Sequence, residues 1–149
     1  MYKRILFSLL LVLLITSVCF SQSRGLGLGL VFGDPTGFNG KAWMSQSGAF
    51  QFGVGMPSLS NSSGTAFNAE YIWHSHVIRS QERFPIFYGL GGIIGTGGGH
   101  TAIGARGILG IAWWPHNTPI DVFFQMTPTL FFDPSNFEFD FGIGARYFF

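Results

Sequence analysis

Cysteine is all but missing from this chain. The single one, Cys19, falls in an N-terminal stretch that reads as a removable leader, so what remains carries no disulfide and no thiolate chemistry. Charge is scarce as well. Eight Lys and Arg face seven Asp and Glu, 10 % of the residues, for a net charge of +1, which offers no basic field for nucleic acid. Long apolar runs are missing too: nothing beyond residue 21 supplies the eighteen consecutive apolar residues of a transmembrane helix, although 47 % of the chain is hydrophobic. High apolar content without a helical span is what a chain crossing a bilayer on strands looks like.

The N-terminus has the layout of a secretory signal. Lys3 and Arg4 precede an apolar run, residues 5–18, broken only by Ser8, Thr16 and Ser17, too short for a membrane-spanning helix. Cleavage after Ser21 is the first choice, with a cut after Cys19 as the alternative. Lipidation of Cys19 is disfavoured, because Val18 is bulky where such sites take a small residue. The expected division is a signal peptide over 1–21 and one barrel domain over 22–149.

The last thirteen residues carry the strongest pattern. Phe137, Phe139, Phe141, Ile143, Ala145, Tyr147 and Phe149 alternate with Glu138, Asp140, Gly142, Gly144 and Arg146, and Phe148 alone breaks the rule. A period of two marks a strand with one apolar and one polar face, here about as long as a tilted bilayer crossing needs. Turn signals divide the rest into seven further strands, near 25–32, 38–44, 49–56, 66–74, 84–94, 101–114 and 120–132. The expected fold class is all-β: a single antiparallel up-and-down transmembrane barrel of about eight strands.

Phase tests that reading. Leu26, Leu28, Leu30 and Phe32 alternate with glycines; Phe50, Phe52, Val54 and Met56 alternate with Gln51, Gly53 and Gly55; Phe67, Ala69, Tyr71 and Trp73 oppose Asn68, Glu70 and His74. On strand six Ile103, Leu109, Ile111 and Trp113 oppose Arg106, and on strand seven Ile120, Val122, Phe124, Met126 and Leu130 oppose Asp121, Gln125 and Thr127. Lys41, Glu70, Arg106, Asp121, Glu138, Asp140 and Arg146 thus all fall opposite the apolar row. A cation at the lipid midplane costs about 2–4 kcal/mol, so three cations on one face fix the register. The apolar row is expected to face lipid, and the seven charges to form a lumen network. An eight-stranded barrel has an interior just wide enough for side chains to fill, and buried charges persist when paired. A salt-bridged, closed lumen is therefore expected, with a narrow channel for small solutes as the alternative. A soluble lipocalin-like barrel would reverse the two faces.

The tryptophans lie near the ends of even-numbered strands, one rim of such a barrel. Trp73, Trp113, Trp114, Tyr88 and Tyr147 are expected in a periplasmic aromatic girdle, while the phase of Trp43 turns it inward. Tyr147 and Phe149 are expected to act as a C-terminal assembly signal, read by barrel-assembly machinery.

Evidence for chemistry is thin. The loops opposite that rim offer Asp34, Ser58, Ser60, Ser62, Ser63, His100 and Asp133, and no spacing forces them into a nucleophile–base–orienter set. A lipid-modifying enzyme at that rim is the second alternative; no enzymatic activity is expected. His74 and His76, at i and i+2, are two ligands where zinc takes three or four. The glycine runs at 89–92 and 95–99 lack the ending of a phosphate loop. No cofactor and no metal are expected. The longest inner turn, 75–83, with Arg79, Glu82 and Arg83, is expected either to touch a periplasmic partner or to be a strand extension with a solvated turn.

Three segments carry a family likeness: Gly33-Asp34-Pro35-Thr36-Gly37 with Lys41 after it, Tyr71-Ile72-Trp73-His74, and Pro119-Ile120-Asp121-Val122-Phe123. In these the chain resembles the small eight-stranded bacterial outer-membrane barrels, and more closely a family of short ones with no settled activity, where they are similar to the first hairpin, fourth strand and seventh strand. Gln125 departs from the pattern where a carboxylate is expected, and Ile108 where a proline often follows the strand-six arginine. The resemblance implies a barrel embedded in the outer membrane among its lipids, with a structural or surface-interaction role and no catalytic residue to carry over.

Overall fold

Eight antiparallel strands pair in chain order, and the last closes on the first. The computed structural model describes residues 25–33, 35–56, 64–76, 83–132 and 135–149. The signal peptide and its cleavage site, and Asp34, Ser58, Ser60, Ser62, Ser63, Arg79, Glu82 and Asp133, lie outside the described residues. The strands are β1 (Leu26–Gly33), β2 (Thr36–Trp43), β3 (Gly48–Met56), β4 (Gly64–Ser75), β5 (Ile86–Gly97), β6 (His100–Trp113), β7 (Ile120–Phe132) and β8 (Ser135–Phe148). The fold is the expected all-β up-and-down barrel of eight strands. Among the described residues, closure leaves no open sheet edge.

Strand ends differ from the sequence reading where turn chemistry is tighter than composition suggests. The expected glycine loop at 95–100 is mostly strand, with Gly97 paired to His100. Only Gly98 and Gly99 form the turn, at φ of 59° and 76°. Two successive positive φ angles make the hairpin turn that matches strand twist, and glycine adopts them without a steric cost. At the other end of β6, Trp114 leaves the strand and bridges Arg83.

The β6–β7 ladder is interrupted. Arg106 pairs with Thr129 and Leu109 with Met126, but the two rungs between, opposite Thr127 and Pro128, are missing. Pro128 remains in register with Phe139 of β8. Proline has no N–H to donate, so the gap opens toward β6.

Burial follows the phase. Phe38 and Leu90 are each 70 % exposed, whereas Lys41 and Asp121 are fully buried. The exposed row runs around the outer wall through Leu28, Leu30, Phe52, Phe67, Ile103, Leu130, Phe139 and Ile143. Inside, the chain departs from an interior of glycines and charges. Val31, Trp43, Ile72, Phe87, Ile108 and Phe123 form a buried apolar cluster, with Trp114 and Phe148 packed against it.

Candidate functional site

The lumen is the candidate site, and the strand register builds it. Lys41, Gln51, Glu70, Gly91 and Arg106 are successive cross-strand neighbours on β2 to β6. Asp121 faces Arg146 across β7 and β8, Arg146 faces Gly29, and Gly29 faces Asn39. All are inward positions, so a polar belt runs around the inside of the wall.

Asp121 is the hub of one side. Its Oδ2 accepts from Lys41 Nζ at 3.0 Å and from Arg146 Nη1 at 2.9 Å. Arg146 also donates through Nε to Asn39 and through Nη2 to Gln51. Gln51 in turn donates to Gln125 Oε1 at 3.2 Å. The guanidinium carbon lies 3.8 Å from the Phe123 ring centroid, where the ring's negative face attracts it. Across the lumen, Arg106 pairs with Glu70 at 3.6 Å, and Asn68 holds both Glu70 oxygens at 2.9 and 3.0 Å. Gly91 stands between Glu70 and Arg106 in the register. A Cβ there would come within 2.7 Å of Glu70 Cγ, so its bare Cα makes the room in which the pair forms.

Toward the rim with the chain ends, the belt is capped by rings. Lys41 Nζ sits 4.6 Å from the Trp43 ring, 5.6 Å from Trp114, 5.9 Å from Phe148 and 6.0 Å from Phe87. His74 packs 4.4 Å from Trp43 and directs Nδ1 at the Ser47 carbonyl, 3.2 Å away. A neutral imidazole with its proton on Nδ1 donates there. The cap and belt together pack the lower lumen with buried side chains.

The seven charges expected in the lumen divide. Lys41, Glu70, Arg106, Asp121 and Arg146 are buried and joined by three ion pairs. Glu138 and Asp140 face the same way but are only half-buried, toward the opposite rim, and Glu138 accepts from Asn136 at 3.1 Å. Trp73, Tyr88, Trp113 and Tyr147 are all exposed on the outer wall. Trp73 and Tyr88 are register partners with stacked rings 6.0 Å apart. Tyr147 and Phe149 are exposed with ring centroids 5.3 Å apart, and Phe149 donates its N–H to Leu26.

His74 is buried, whereas His76 is exposed with its ring 5.7 Å from Trp114. Among the described residues no three His, Cys, Asp or Glu gather as a metal site. His100 is exposed. Trp43 lies inward as its phase predicts; the residues that sequence reasoning missed are the rest of the apolar cap, including Trp114, which packs inside against Trp43 rather than in the girdle. Phase held the signal, since Ile72 lies between Glu70 and His74 and Phe123 between Asp121 and Gln125. Phe148, the exception in the β8 alternation, is an inward residue of this cap. No family model, curated protein or solved structure matches the chain.

Proposed function

We propose that the protein is an integral outer-membrane β-barrel with a closed lumen, non-enzymatic, serving a structural or surface-interaction role. One observation carries the reading: the exposed wall of the strands is apolar while the charges of the described strands face inward. In water such a wall would expose an apolar surface far beyond the few hundred Å² a soluble monomer tolerates. In a bilayer the same wall is solvated by lipid, and the paired charges are kept from it. The N-terminal pattern supports export, the exposed Trp73, Tyr88, Trp113 and Tyr147 suit the periplasmic interface, and Tyr147 with Phe149 suits delivery by barrel-assembly machinery.

Between a closed barrel and a narrow channel, the filled lower lumen favours the closed one. Planar-bilayer recording of the purified protein tests this. The expected record is silent at moderate voltage; steady single-channel conductance, altered in Lys41→Ala or Glu70→Ala, would establish a pore instead.

A further inference from the structure

Among the described residues the outer wall has a concavity between β1 and β3. Between the β1 ridge of Leu28 and Leu30 and the β3 ridge of Phe52 and Val54, β2 presents Gly40 below Phe38, leaving a groove of about 340 Å³. Gly40 pairs with Leu28 on one side and Phe52 on the other. The Phe52 ring lies back over the bare Cα of Gly40, so a Cβ there would run into the ring carbons. The ring occupies the place of the missing side chain, and the groove runs beside it along Leu28, Leu30 and Phe38.

We propose that this groove holds one acyl chain of a bilayer lipid, making the β1–β3 face a preferred lipid site on the barrel. The inference rests on the membrane reading above. Shape selects the occupant. A stable protein interface takes roughly 20–30 residues a side, whereas nine residues line this groove, and the surrounding barrel wall is convex. A second barrel would meet that wall along a line and leave the groove floor untouched. A flexible hydrocarbon chain reaches the floor and gains contacts on both sides. In lipid, where apolar burial gives no net drive, such close packing is what distinguishes one site from another.

Photolabelling tests it. The protein is reconstituted in phosphatidylethanolamine–phosphatidylglycerol vesicles with a trace of phosphatidylethanolamine bearing a diazirine midway along one acyl chain. Only the heat-modifiable fraction is analysed. Label is expected to be several-fold richer on Leu28–Leu30, Phe38 and Phe52–Val54 than on Ile103, Leu130 and Phe139. Gly40→Leu forces the Phe52 ring out into the groove and should bring the label down to the wall average. Ala105→Leu, on the exposed face of β6, should leave it unchanged. Leu30→Trp fills the groove from an exposed position and gives a second reading should Gly40→Leu not fold. Even labelling around the wall overturns the site and leaves the membrane reading standing. Absence of label everywhere overturns both. A concentration-dependent dimer that shields these residues, and is lost in Leu30→Trp, overturns the lipid as occupant.

Discussion

Arg146 and Asp121 face each other across the β7–β8 ladder, and the 2.9 Å hydrogen bond between them ends on the oxygen that Lys41 also uses. One carboxylate thus neutralises two buried cations, Lys41 among aromatic rings and Arg146 held also by Asn39 and Gln51. Removing one partner of a buried pair leaves a bare charge and costs about 3–5 kcal/mol, whereas replacing the whole set by apolar groups is often neutral. Asp121→Asn should therefore lower the denaturant midpoint of the refolded barrel sharply. Lys41→Met in the Asp121→Asn background should cost much less than the two single losses added together, which a double-mutant cycle reads directly.

Gly91 separates Glu70 from Arg106, and Gly95 lies two inward positions farther along the same strand. A Cβ at Gly91 meets Glu70, while one at Gly95 meets nothing within 4 Å. Gly91→Val should destabilise the barrel by about 1–3 kcal/mol through overpacking. Gly95→Val should change it by about 0.5 kcal/mol or less. Urea unfolding from detergent micelles distinguishes the two.

Pro128 interrupts the β6–β7 ladder because it has no N–H to give. Pro128→Val supplies that N–H and a strand-forming side chain. Amide exchange should then show residue 128 protected like its neighbours, and slower exchange around Gly107 and Ile108. Rapid exchange at residue 128 in the variant would assign the gap to strand geometry rather than to proline.

In the closed-barrel reading, the aromatic cap is the seal. Trp43 touches Lys41, His74 and Trp114 at once, so Trp43→Ala removes the residue that joins them. Small-ion leakage through vesicles carrying Trp43→Ala should exceed that of the unaltered protein. Trp73→Ala, a substitution on the outer wall, should leave leakage unchanged.

Most of the fold is legible in the sequence because alternation is a local signal. Phe137 to Phe149 declares its two faces, and Lys41, Glu70, Arg106, Asp121 and Arg146 agree with the same division. Alternation gives a face and not a partner, however. That Lys41 meets Asp121, eighty positions away, follows from the stagger of eight closed strands, which no local pattern encodes. The same limit explains Glu138 and Asp140: they share the inward phase, but their height near the Ser135 end of β8 leaves them only half-buried. Glycine misled in the other direction. The run at 95–99 looked like a loop, yet only Gly98 and Gly99 turn, because the positive φ angles of a two-residue hairpin need no more than two glycines.

The most direct test of an outer-membrane barrel is gel mobility of the protein extracted from washed outer membranes, run with and without boiling. The expected result is a faster band in the unheated sample that shifts to the unfolded position on heating, with folded material sharply reduced when Phe149 is deleted. A protein recovered in the soluble fraction, with one mobility whether heated or not, would contradict the membrane topology and reverse the assignment of the apolar wall.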